Sequence, residues 1–285
     1  MKRTSLLAAS ALAAAGCLAA VALAAPPAGN KKPPAAVAAD PPTVTSVASL
    51  MEKELHWGMT HQEVTDAYNK LNGLFDKEYS PQLARLQPGI DMQQLEADRD
   101  SRKSNLERSF TRFLDTPTGY DVTPLFHEYT YKNDEAIQKV FKDGKTRYFF
   151  YIKDKFWKFY DEIPLKADGP LGGSFQDAVT KLNQLFNVPA RIRPADPTQG
   201  LDRTTADWQD GTTHLRALDR SSEHLLGVVL EDKNTVSNLS ALRPNKPTDP
   251  FALDPSIAAI TKKGVSDPNA PSAGAQADAG TKKRR

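Results

Sequence analysis

The feature that most constrains this chain is a run of aromatic residues folded back on itself by turn signals. Between Tyr148 and Tyr160 stand eight aromatic side chains, out of 12 Phe, 8 Tyr and 3 Trp in the whole chain. Asp143-Gly144 precedes the run, and Asp-Gly is a strong signal for a two-residue hairpin turn. Lys153-Asp154, a weaker turn, interrupts it. Together the turns set a pairing, with Val140 opposite Arg147, Phe150 opposite Trp157 and Tyr148 opposite Phe159. Successive strand residues point to opposite faces. One face therefore carries Ile137, Phe141, Tyr148, Phe150, Ile152, Trp157 and Phe159, and reads as core. The other carries Val140, Phe149, Tyr151, Phe156 and Tyr160 among Arg147 and Lys158. Such an amphipathic face has to be covered, or has to bind something. Phe149, Tyr151, Phe156, Tyr160, Arg147 and Lys158 are thus the candidate partner-binding residues, unless a helix covers them.

Helical signals precede this sheet. Thr60 and Glu63 form a capping box, with Met59 and Val64 as its hydrophobic staple. Val64, Ala67, Tyr68, Leu71, Leu74 and Phe75 follow at helical spacing and predict one continuous apolar face. A second, long helix is expected over about 91–114. Asp91 and Gln94 repeat the capping logic, charges dominate the middle, and Leu106, Phe110, Phe113 and Leu114 restore an apolar stripe at the far end.

The segment from Pro164 to Gly173 reads as a break, and helix then strands recur after it. Ser174 and Asp177 can cap a helix whose stripe is Phe175, Val179, Leu182, Leu185 and Phe186. Lys70-Leu71-Asn72-Gly73-Leu74-Phe75 is echoed by Lys181-Leu182-Asn183-Gln184-Leu185-Phe186, which raises a duplicated module. Asp210-Gly211 predicts a further hairpin that pairs Trp208 with Thr213 and Asp207 with His214 and buries Ala206, Trp208, Leu215 and Ala217. Leu225 to Leu230 reads as a fully buried strand. The expected fold is α+β, with two small helix-plus-antiparallel-sheet modules at 47–164 and 172–243.

The ends are different in kind. Met1-Lys2-Arg3, an apolar run from Leu6 to Ala24 and the Ala22-Leu23-Ala24 cleavage signal read as a secretory signal peptide over 1–24. Ala14-Ala15-Gly16-Cys17 is also similar to a lipoprotein box. Cys17, the only cysteine, is therefore a possible lipidation site and membrane tether. Cleavage near Ala24 instead leaves a mature chain without a thiol, which removes cysteine catalysis and thiolate metal sites. Residues 25–46 and 244–285 are rich in Pro, Ala and Lys and read as a disordered linker and a disordered, basic-ended tail. From Val47 to Lys246 there are 27 Lys/Arg against 30 Asp/Glu, so the body presents no general phosphate-binding surface and nucleic acid is not an expected partner.

Chemical motifs are sparse. The five histidines include no H-E-x-x-H pair, and no metal or cofactor is expected. There is no G-x-S-x-G elbow, P-loop or dinucleotide glycine fingerprint. Asp207 and His214, opposite each other on the polar face of the second hairpin, are the weak catalytic candidates. They form either a base with its orienter or a plain cross-strand polar pair.

Gly58-Met59-Thr60-x-x-x-Val64 resembles the motif that opens the first helix of the SmpA/OmlA small outer-membrane lipoprotein family. Phe186-Asn187-Val188-Pro189 is similar to the G-x-P break after that helix, with Asn187 in place of glycine. The resemblance implies an exported protein in which a short helical part precedes a small antiparallel sheet. It also implies an envelope interaction role, since the family includes an accessory subunit of the outer-membrane β-barrel assembly machinery. The function expected is that of an exported bacterial cell-envelope protein, periplasmic or outer-envelope, acting as a non-enzymatic interaction or structural module on another envelope protein. The alternatives are a periplasmic small-ligand binder with a cleft between the modules, or a hydrolase using Asp207 and His214.

Overall fold

The structure, a computed structural model, describes residues 40–245 except 126, 127 and 143. The signal-peptide reading, Cys17, most of the linker and the tail beyond Asn245 lie outside the described residues, as do His127 and Asp143. The body starts earlier than expected. Val44 and Val47 are buried, Val44 N–H donates to the Gln209 carbonyl at 2.8 Å, and the Asp210 carboxylate accepts from the Val47 and Ala48 amides at 2.7 and 3.1 Å. Residues 41–46 thus belong to the fold, because the second hairpin offers backbone and carboxylate partners that satisfy them.

Helix α1 (His61–Asn69) has the expected capping box: Glu63 N–H donates to Thr60 Oγ1 and the Glu63 carboxylate accepts from Thr60 N–H at 2.7 Å. It ends six residues before the predicted stripe does. Asn72 is left-handed, Leu71 is 84% exposed, and Gly73 starts a new helix, α2 (Leu74–Leu83). A Cβ on Gly73 would lie 2.7–2.9 Å from the carbonyl oxygens of Tyr68, Lys70 and Ala67. Only glycine permits this tight turn. Gly73→Ala is expected to cost about 1–3 kcal/mol through forced backbone shifts, measurable as a lower urea midpoint at an unchanged m value. The echo at Lys181–Phe186 has no such break. It lies wholly inside α4 (Phe175–Phe186), and its Leu182 is buried, so the six-residue match is not a shared local structure.

Helix α3 (Ile90–Arg108) has 19 residues, and Leu106 is its one buried side chain. As expected, its middle is exposed and Leu106 docks, but the helix stops at Arg108 instead of running on to 114: Phe110, Phe113 and Leu114 lie beyond its end, and Leu114 is 66% exposed. Polar contacts hold it along α2: Lys103 to Asp76 at 2.6 Å, Arg102 to Glu78 at 2.7 Å, and Tyr79 to Asp98.

Among the described residues the strands form one eight-stranded antiparallel sheet. In chain order they are β1 (Thr111–Arg112), β2 (Glu135–Lys142), β3 (Lys145–Ile152), β4 (Lys155–Pro164), β5 (Arg191–Arg193), β6 (Thr205–Gln209), β7 (Thr213–Arg220) and β8 (Leu225–Asp232). The spatial order is β1-β2-β3-β4-β8-β7-β6-β5. Each helix-led segment contributes a four-strand meander, and the last strands of the two meanders, β4 and β8, pair antiparallel. The fold is thus α+β, and the two segments share one sheet. Its edges are strands of two and three residues, β5 lying between Pro189 and Pro194, which leaves little edge for a stray strand to pair with.

The first hairpin keeps the expected register, with Val140 opposite Arg147. The second does not. After the turn at Lys153-Asp154, both left-handed, Tyr151 faces Phe156, but Phe150 faces Lys158 and Tyr148 faces Tyr160. Trp157 is the extra residue of a β-bulge, which shifts everything beyond it by one. Phe159 thereby joins Phe149, Tyr151 and Phe156 on one face, while Lys158 and Tyr160 move to the other.

Both faces are covered. On the first, Phe149, Tyr151, Phe156, Leu215, Ala217, Trp208 and Leu230 pack with Val64, Tyr68 and Phe75 of α1 and α2 and with Ala178 and Leu182 of α4. On the second, Phe150, Trp157, Tyr160, Leu218 and Val229 pack with Phe113, Leu125 and Tyr129 from the segment before β2, and with Leu239 and Leu242 near the C-terminal end of the body. This corrects the docking-face expectation. Phe149, Tyr151, Phe156, Tyr160, Arg147 and Lys158 are all 0–2% exposed. They are interior residues, covered mainly by α1 and α2 on one side and by loop on the other; α3 contributes little beyond Leu106.

Candidate functional site

A dense cluster of ionisable groups lies on the second face, where β4 to β8 present alternate residues outward. Asp210 sets the local register. Its side chain accepts from the Thr212 and Thr213 amides at 2.8 and 2.7 Å, so the connection is a four-residue loop wrapped around a carboxylate rather than a two-residue turn. Trp208 faces Leu215, Asp207 faces Arg216, and Gln209 faces His214. The shift from expectation is two residues. The face of every residue is therefore kept, and Ala206, Trp208, Leu215 and Ala217 are buried together as expected. Asp207 and His214 share a face diagonally rather than directly.

Cross-strand neighbours alternate in charge. Arg191 on β5 donates to Asp207 Oδ2 at 2.8 Å. Glu231 on β8 stands opposite both His214 and Lys158. His214 Nδ1 lies 3.2 Å from Glu231 Oε2, and its Nε2 lies 3.9 Å from Asp207 Oδ1. Glu128 reaches down from the covering loop, accepting from Arg216 at 2.6 Å and from Lys158 at 3.2 Å. The orienter of His214 is thus Glu231, which sequence reasoning missed. Asp207 is buried against Arg191 and is beyond hydrogen-bonding distance of the imidazole. The signal for Glu231 was its place one residue past a continuously apolar strand, which becomes meaningful only once β8 is known to lie beside β7.

Electrostatics tie the cluster shut. Burial disfavours the Glu231 carboxylate, but Arg216, the hydrogen bond from His214 and the nearby Lys158 outweigh it and hold its pKa well below the usual carboxylate range. Burial likewise opposes the charge on Arg216, which Glu231 and Glu128 more than restore. Elsewhere, Asp161 is depressed by Arg147 and Lys145 against its burial, and Asp210 by four backbone amides against its own. Such groups stabilise the fold above the ordinary carboxylate pKa, and that contribution is lost as pH falls through their folded-state values. Urea midpoints are expected to stay level from about pH 7 to about pH 5 and to drop below about pH 4. A midpoint that rises between about pH 5 and 3 would contradict the assignment.

Among the described residues no three His, Cys, Asp or Glu side chains are placed to hold a metal ion. His61 is bound to Asp154 at 2.6 Å and stacks on Phe110. No helix among the described residues is long and apolar enough to cross a membrane. A groove of about 650 Å³ runs between α2 and α3, lined by Gln82, Arg85, Leu86, Asp91, Gln94, Leu95 and Asp98. No protein-family model, no curated protein and no solved structure matches the chain.

Proposed function

We propose that the chain is an exported bacterial cell-envelope protein, periplasmic or outer-envelope, that acts as a non-enzymatic interaction or structural module on another envelope protein. One observation carries the non-enzymatic half of this reading. The histidine that looks most like a base is braced between strands, with Glu231 on one nitrogen and buried Asp207 facing the other. Its neighbours Arg216, Lys158 and Arg191 are each within ion-pair distance of a carboxylate. A general base has to reach a substrate proton, and this one is tied into a network that holds the sheet and its covering loop together. Export rests on the pattern of Met1 to Ala24, and the SmpA/OmlA resemblance agrees with an envelope role.

The groove between α2 and α3 favours small-ligand binding as the second reading. The two separate cleanly. Fractionation of the producing cell with mass measurement of the mature N-terminus is expected to place the chain outside the cytoplasm, starting after Ala24 or at a lipid-modified Cys17. A cytoplasmic chain that keeps Met1 would overturn the reading. A thermal shift with a small metabolite, abolished by Gln94→Ala in the groove, would favour the second.

A further inference from the structure

The Arg243 cradle is built like a peptide-recognition site, and we infer that it accepts an arginine-bearing segment leaving a helix end, a role that the chain's own Arg243-Pro244-Asn245 fills in cis. That another protein supplies such a segment in trans rests on the interaction-module reading; the geometry of the cradle does not. Glu135, 1% exposed, meets the guanidinium with both oxygens, from Nε at 2.8 Å and from Nη2 at 2.9 Å. This is the bidentate geometry that selects arginine over lysine. Nη2 also donates to the Glu128 carbonyl at 3.0 Å, and the guanidinium carbon lies 5.6 Å from the centre of the Trp157 ring. Two residues on, recognition passes to the backbone. Asn133 accepts from the Asn245 amide at 2.9 Å and donates to the Asn245 carbonyl at 2.7 Å. The segment is therefore read by its main chain at one point and by an arginine side chain at the other, the economy of peptide-docking sites.

Two features say that the occupant is separable from the site. The connecting helices α5 (Lys233–Ser237) and α6 (Leu239–Leu242) have five and four residues and bury none of them fully, so the clamp shares the ordering of this strap with the partly buried Leu239 and Leu242. The receptor, in contrast, is set before the strap arrives. Asn133 is buried between Lys132 and Asp134, both left-handed although neither is glycine, and strained backbone of this kind collects at ligand clamps.

The test uses the full chain carrying Arg243→Ala and two synthetic peptides spanning residues 238–245, one with the native arginine and one with alanine at that position. Hydrogen exchange across 233–245 is expected to speed up at least tenfold in the variant, while β3, β4 and β8 keep their protection. The arginine peptide is expected to bind the variant and restore slow exchange. It is expected to bind the native chain at least tenfold more weakly, because the strap in cis competes for the cradle. The alanine peptide is expected to bind neither. Unchanged exchange in the strap, or equal binding of the two peptides, overturns the inference. If Arg243→Ala does not fold, Arg243→Lys keeps the charge, removes the bidentate fork and is read by the same peptides. Failure here would leave export and envelope association untouched, and a cytoplasmic location would leave the cradle's peptide binding untouched.

Discussion

Arg147→Ala is expected to destabilise the protein by about 3–5 kcal/mol, because it strips a buried carboxylate of its main counter-ion. The Arg147 side chain is 3% exposed. It donates to Asp161 from Nε at 2.6 Å and from Nη2 at 2.8 Å, pairs with Glu52, and lies 4.3 Å over the Phe159 ring. Burial opposes its charge, and Asp161 more than compensates. Without the arginine, Asp161 keeps Lys145, at 2.9 Å, as its one ionic partner among the described residues. The double variant Arg147→Met with Asp161→Leu removes both charges and keeps apolar volume, so it is expected to recover most of the loss. Urea unfolding of Arg147→Met, Asp161→Leu and their double completes the cycle. Equal losses in the single and double variants would mean that Arg147 acts by packing on Phe159 and not by charge.

Phe149→Ala is expected to cost about 3–5 kcal/mol, the range for a large aromatic lost from a packed core. Phe149 is fully buried. It meets Tyr68 and Phe156 edge-on, with ring centres 5.9 and 5.5 Å apart, so its removal opens the layer between α1 and the sheet. The result bears on function as well as stability. On a docking face the same substitution would leave the unfolding midpoint nearly unchanged, within about 0.5 kcal/mol, as exposed substitutions do, and would weaken partner binding alone. That outcome would restore the docking-face reading that the fold displaces.

Much of the fold was legible because local rules carried it. The capping box at Thr60, the hairpin between β2 and β3 and the buried set Ala206, Trp208, Leu215 and Ala217 follow from caps, turns and alternation. The failures share a cause of a different range. The bulge at Trp157 is one unpaired residue, invisible to a pattern of period two, yet it sends Phe159, Lys158 and Tyr160 to faces opposite those expected. The break at Gly73 looked like one tolerated glycine inside an apolar stripe. The pairing of β4 with β8 joins residues far apart in sequence, so nothing local announced that the two segments share a sheet or that Glu231 would stand beside His214. Of the candidate site, Asp207 and His214 were correctly placed on one face, but their partners Arg191, Arg216, Glu128 and Lys158 depended on that long-range pairing. The reading of Lys158 as an exposed cation failed for the same reason.

The proposed role of this chain is to work outside the cytoplasm by holding another protein. In-cell cross-linking in the producing bacterium, followed by fractionation and mass measurement, tests it most directly. Adducts heavier than the chain itself are expected in the envelope fraction, carrying the processed N-terminus. A single uncross-linked species in the cytoplasm, with Met1 to Ala24 intact, would contradict it.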